Sequence, residues 1–118
     1  MAKVLIVDDE KEICEEFRDI LQDDGHQAEY ATSGEEAIRK VHEADYDLIF
    51  LDVLMPRMEG RQVFDEIRKI KQIPVAIMSG YMPPNKEKEV MSLGAIACLR
   101  KPLDLARIKS LLRSVENK

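Results

Sequence analysis

The sequence has no tryptophan and only two cysteines, Cys14 and Cys98, separated by most of the chain. Neither belongs to a Cys-x-x-Cys or Cys/His spacing. A zinc site and a disulfide framework are therefore excluded as organising elements, and both thiols are expected to be reduced and packed. No apolar run approaches the roughly 20 residues that a bilayer-crossing helix needs. The opening stretch Met1 to Glu10, MAKVLIVDDE, lacks the longer apolar segment and small-residue cleavage site of a secretory leader. A cytoplasmic location without a membrane partner is expected. Basic residues are also in deficit, with 18 Lys and Arg against 23 Asp and Glu, giving a formal charge of −5. That balance offers no basic footprint for a phosphate backbone, so protein partners are expected and direct nucleic-acid contact is not.

What is present is the profile of a soluble globular domain, 45% hydrophobic and 35% charged over 118 residues. This length fits one domain spanning 1–118, uninterrupted by repeat, low-complexity tract or linker. Short apolar runs recur at 4–7, 48–51, 75–78 and 95–99, each too short for an ordinary helix, and they read as buried parallel strands. A fifth segment, 27–31, alternates polar with apolar and suits a less covered sheet edge.

Helical periodicity fills the gaps. Ile13, Phe17, Ile20 and Leu21 share a face, as do Val63, Ile67 and Ile70, and then Leu105, Ile108, Leu112 and Val115. Gly25 is placed to end the first helix. Ser33 with Glu36 has capping-box spacing ahead of Ala37, Ile38 and Val41, and Asp104 can cap the last helix. The segment 85–93 is mostly charged, anchored by Val90 and Met91, and is expected to be the least firmly held helix. Strict alternation predicts an α/β, flavodoxin-like doubly wound sheet of five parallel strands in the order 2-1-3-4-5, with right-handed crossovers. Ligands in such sheets bind beyond the strand carboxyl ends where the order reverses, between the first and third strands.

Asp8 and Asp9 follow the first strand and Asp52 follows the third, so three carboxylates converge at that reversal. A single acidic residue at a strand end is usually a cap or a solvated turn residue. Three held together repel one another unless a cation intervenes, and a hard divalent ion such as Mg²⁺ suits carboxylate, carbonyl and water oxygens. Ser79 and Lys101 end the fourth and fifth strands. Lys101 could simply neutralise the acids, and Ser79 could be a turn residue. Together, however, the set offers a nucleophilic carboxylate, a metal site, a hydroxyl donor and a fixed cation.

Through Val7-Asp8-Asp9, Asp52-Val53-Leu54-Met55-Pro56, Gly60, Ser79-Gly80 and Lys101-Pro102, the sequence resembles the response-regulator receiver family of two-component signalling over its whole length. The predicted strand order is that family's own, so fold and motifs are not independent witnesses. The resemblance implies that Asp52 accepts a phosphoryl group from a sensor histidine kinase or phosphotransfer protein. It further implies that Asp8, Asp9, Asp52 and the Leu54 backbone carbonyl hold Mg²⁺, and that Ser79 and Lys101 contact the phosphoryl oxygens. Such a module is not an enzyme, although it assists its own phosphorylation and slow autodephosphorylation. It passes the signal to a downstream protein.

The family's kinase-docking surface maps here to Glu10, Ile13, Cys14, Pro102 and Leu103. Cys98 departs from the pattern, since many members carry there an aromatic residue that swings inward on phosphorylation. Two rivals are weaker. A flavodoxin-like carrier needs a hydroxyl- and glycine-rich phosphate loop where Asp8-Asp9-Glu10 stands. A phosphohydrolase of the haloacid dehalogenase type needs a second aspartate two residues after the nucleophile, where Leu54 stands. His26 and His42 belong to no phosphotransfer motif, and Met55 and Met58 read as loop packing.

Overall fold

The computed structural model describes residues 1–53, 60–81 and 83–116. Leu54, Met55, Pro56 and Met58 lie outside the described residues. Five strands alternate with five helices: β1 (Lys3–Val7), α1 (Lys11–Asp23), β2 (Gln27–Ala31), α2 (Gly34–Glu43), β3 (Leu48–Asp52), α3 (Gly60–Ile70), β4 (Val75–Ser79), α4 (Pro84–Ser92), β5 (Ala97–Arg100) and α5 (Leu105–Glu116). All strand pairings are parallel, in the order β2-β1-β3-β4-β5 that the sequence predicts.

The central strands β1, β3 and β4 are largely apolar because both their faces are covered, whereas the edge strand β2 alternates Gln27 and Glu29 with buried Ala28 and Ala31. Val4, Ile6, Leu48, Phe50, Ala76, Met78, Ala97 and Leu99 point into one core layer, closed by Cys14, Phe17 and Leu21 of α1 and Ile108 and Leu112 of α5. Their alternates Leu5, Val7, Ile49, Leu51, Val75, Ile77 and Cys98 point into the other, closed by α2, α3 and α4. Phe17 meets Phe50 with ring centroids 4.9 Å apart and tilted by 55°, a favourable aromatic arrangement. Full burial of a side chain such as Phe50 contributes about 1.5–3 kcal/mol.

The helix boundaries follow local chemistry. Gly25 has φ of 91°, a left-handed conformation that glycine adopts without a Cβ clash, and α1 ends just before it. Ser33 Oγ accepts the Glu36 N–H at 3.1 Å, while Glu36 reaches back to the Thr32 N–H at 3.2 Å, one residue before the usual capping-box position. Asp104 accepts from the Ala106 N–H at 2.9 Å ahead of α5.

Three expectations need correction. Met91 does not anchor α4; it is exposed, and α4 buries only Val90 while Leu93 packs partly against the core. Strand β5 begins at Ala97 rather than Ala95, with Ile96 turned outward although its N–H still bonds to Val75 O. Ile20 and Leu105 are not core residues, for both stand exposed at the α1–α5 seam.

Candidate functional site

Parallel pairing places the carboxyl ends of β1, β3, β4 and β5 along one rim. The Asp8 N–H bonds to Ala31 O at 3.1 Å, the Val53 N–H to Met78 O at 3.2 Å and the Lys101 N–H to Ser79 O at 2.9 Å, so each strand end is tied to its neighbour. The first residues beyond the strands therefore come together. Asp8, Asp52 and Ser79 are the buried polar or charged residues at this rim, and Asp9 is exposed.

Lys101 binds the two buried aspartates together. Its ammonium donates to Asp8 Oδ2 at 2.7 Å and to Asp52 Oδ2 at 2.8 Å. Burial draws the Lys101 pKa down, but the hydrogen bonds to Asp52 and Asp8 outweigh that and hold it at about 12. The lysine thus stays charged at neutral pH. Its peptide bond to Pro102 is cis.

Asp8 Oδ1 accepts the Glu10 N–H at 3.0 Å, folding the loop into a tight turn. The turn brings carboxylate oxygens of Asp8, Asp9 and Glu10 within 4.8 Å of one another. This is a hard-oxygen donor set that fits Mg²⁺ rather than a soft transition metal. Glu10 joins the acidic group here, a role that its position next to Asp8-Asp9 could have signalled but that the motif reading reserved for partner docking. Leu54, expected to offer a carbonyl, lies outside the described residues.

Ser79 is in place at the end of β4, with its hydroxyl engaged in the following loop. It donates to Tyr81 O at 2.8 Å and accepts the Tyr81 N–H at 3.1 Å. Gly60 is also explained. A Cβ there would fall inside contact distance of Val53 Cα, directly after Asp52, so only glycine lets α3 start this close to the β3 end.

Cys14 is not a docking residue. It is fully buried, and its thiol donates to Asp8 O at 3.3 Å. Burial first, and the Asp8 charge second, push its pKa up to about 12. The α1–α5 seam instead forms a mainly apolar groove of about 640 Å³ lined by Ile13, Phe17, Ile20, Pro102, Leu103 and Leu105, with Lys101 and Glu16 also in its lining. Cys98 is buried in the core beneath α4, its Sγ 4.0 Å from Glu87 O, and burial followed by the Glu87 charge pushes its pKa up.

A doubly wound sheet with buried aspartates and a bridging lysine at its reversal point defines the receiver class of signalling module. The family model for the response regulator receiver domain matches residues 4–113, and the chain belongs to that family, the receiver of two-component systems. The chain is 38% identical over 117 residues to the transcriptional regulatory protein CpxR homolog of Haemophilus influenzae, a match covering 96% of this chain and 51% of that protein. The chemotaxis protein CheY4 of Vibrio cholerae superposes with a TM-score of 0.88 at 35% identity over 98% of both chains. The response regulator TrrA of Thermotoga maritima, solved in complex with Mg²⁺ and BeF, superposes with a TM-score of 0.85 at 31% identity, covering 98% of this chain and 99% of that one.

This membership sets aside the flavodoxin-like and phosphohydrolase readings. The expectation of no nucleic-acid contact gains no support, because the CpxR homolog is a transcriptional regulator and the chain spans only about half of its length. Among the described residues no helix is long and apolar enough to cross a membrane.

Proposed function

We propose that residues 1–118 form one phosphoacceptor module that takes a phosphoryl group onto Asp52 from a phosphohistidine of a sensor histidine kinase or phosphotransfer protein. The observation that carries this reading is the Lys101 ammonium held on both Asp8 and Asp52. It fixes a buried carboxylate at the rim and supplies a permanent positive charge beside it. An Asp52 oxygen forms the new P–O bond as the donor's P–N bond breaks, and the electron pair of that bond goes to the donor's ring nitrogen. Such transfer depends chiefly on positioning and on neutralising the equatorial phosphoryl oxygens, which the Lys101 ammonium and the Ser79 hydroxyl would contact.

Asp8, Asp9 and Asp52, with the Leu54 carbonyl, would hold Mg²⁺, which supplies the charge that the carboxylates' excess over one lysine requires. Water attack on the resulting acyl phosphate, with phosphate leaving, accounts for slow autodephosphorylation. The apolar α1–α5 groove, opening beside Lys101, is the surface for the donor protein, with Ile13, Pro102 and Leu103 in contact. The phosphorylated form engages a downstream target.

The test is incubation with Mg²⁺ and a small-molecule phosphodonor, followed by intact-mass measurement. One added phosphoryl group is expected in the parent and none in Asp52→Asn or without Mg²⁺. Phosphate retained by Asp52→Asn would overturn the assignment.

A further inference from the structure

Every polar atom of Asp8 has a partner, and one partner is unlike the rest. The Asp8 N–H is held by Ala31 O, Oδ1 by the Glu10 N–H and Oδ2 by the Lys101 ammonium. Its carbonyl oxygen receives the Cys14 thiol at 3.3 Å, from a side chain that is itself fully buried. Cys14 also closes the far end of the turn, because its N–H bonds to Glu10 O at 3.1 Å. One residue of the first turn of α1 therefore clasps both ends of Asp8-Asp9-Glu10.

The peptide unit gives this clasp a consequence. The Asp8 carbonyl and the Asp9 N–H share one rigid plane, so fixing the carbonyl direction fixes the direction in which Asp9 leaves that plane. Asp9 is exposed, and among the described residues no hydrogen bond holds its carboxylate. The backbone therefore sets the direction of its Cα–Cβ bond, from which the carboxylate reaches toward the other acids.

We infer that Cys14 is a positioning residue for the metal site: its thiol holds the Asp8-Asp9 peptide plane so that Asp9 is presented to Mg²⁺ alongside Asp8. The inference rests on the reading of this rim as a Mg²⁺ site. Removing the donor leaves a buried carbonyl unsatisfied, and the plane tilts to recover a partner. The cost falls on Asp9 rather than on Asp52 or Lys101.

Mg²⁺ alone is titrated calorimetrically into the full chain and into Cys14→Ala, the somewhat larger Cys14→Val, Asp9→Asn and each double variant, with thermal melts alongside. The two donor-free variants guard against a failure to fold in either one. Mg²⁺ affinity is expected to fall about three- to tenfold in the Cys14 variants, a range consistent with the loss of one hydrogen bond. It is expected to fall no further when Asp9→Asn is already present, whereas a merely structural loss would leave the two affinity effects additive whatever the change in melting temperature. Unchanged affinity in the donor-free variants, or effects that add with Asp9→Asn, would overturn the inference. A parent chain that binds no Mg²⁺ would instead overturn the site reading beneath it.

Discussion

The hydroxyl of Ser79 and the backbone of Tyr81 hold one another in both directions, the hydroxyl donating to Tyr81 O at 2.8 Å and accepting the Tyr81 N–H at 3.1 Å. Ser79 cannot turn to a phosphoryl oxygen on Asp52 without releasing this turn. Gly80 between them has open space around it, and α4 beyond buries only Val90, so little opposes a shift there. Phosphorylation need only bias two arrangements that already exist. Amide exchange across 79–81 and 83–93 is expected to change when a phosphoryl mimic is added. The response should weaken in Ser79→Ala and survive in Cys98→Ala. The opposite pattern would move the switch to β5.

The fold was legible because strand and helix signals agree: apolar runs of strand length alternate with 3.6-residue stripes, and parallel strands buried on both faces need both. Asp8, Asp52, Ser79 and Lys101 were legible because each directly follows or ends a strand, so topology alone brings them to one rim, with Asp9 one residue further on. Periodicity could not tell a core position from a groove position. Ile20 and Leu105 carry the same signal as Leu21 and Ile108, yet the gap between α1 and α5 leaves them exposed. Nor could it separate Cys14 from Ile13, because one helical step of about 100° decides which side chain faces Asp8 and which lines the groove. Met91 failed as an anchor for the same reason, since Val90 already fills the inward position.

Gly60 should not accept even one methyl group. A Cβ there meets the Val53 backbone, which has no flexible end to move aside, and Gly60 N–H also bonds to Val53 O at 3.3 Å. Gly60→Ala is expected to lose about 1–3 kcal/mol in urea denaturation, as overpacking does. Since Val53 follows Asp52, the rate of phosphorylation from a small-molecule donor should fall as well. An unchanged midpoint would mean that α3 can retreat at no cost.

The α1–α5 groove separates binding from stability. Ile20 and Leu105 are only partly covered, so Ile20→Ser and Leu105→Ser should each shift unfolding free energy by about 1 kcal/mol, well short of a core truncation. Transfer from the partner kinase should nevertheless drop severalfold, while phosphorylation by a small-molecule donor stays unchanged. Kinase transfer at the parent rate in both variants would place docking elsewhere.

Lys101 is the counter-charge for two buried carboxylates, and its removal should show in stability, metal response and pH dependence together. Lys101→Met leaves Asp8 and Asp52 without their shared ammonium, and losing one partner of a buried ionic group costs about 3–5 kcal/mol. The lysine side chain retains 19% exposure, which argues for the lower end of that range. Mg²⁺ can replace the missing charge, so it should raise the melting temperature of Lys101→Met more than that of the parent. The alkaline limb carries the sharper test. The folded-state pKa of Lys101 lies at about 12, above its ordinary value of 10.5, so the folded protein keeps this proton when the unfolded chain has begun to lose it. The lysine's contribution is therefore fully present below pH 10.5 and is lost as pH rises through about 12. Other lysines and tyrosines titrate in the same range, but they do so in both proteins. The stability difference between parent and Lys101→Met should stay constant from neutral pH to about 10 and shrink above it. A difference that already shrinks near neutral pH would show that the ammonium is not what holds Asp8 and Asp52 together.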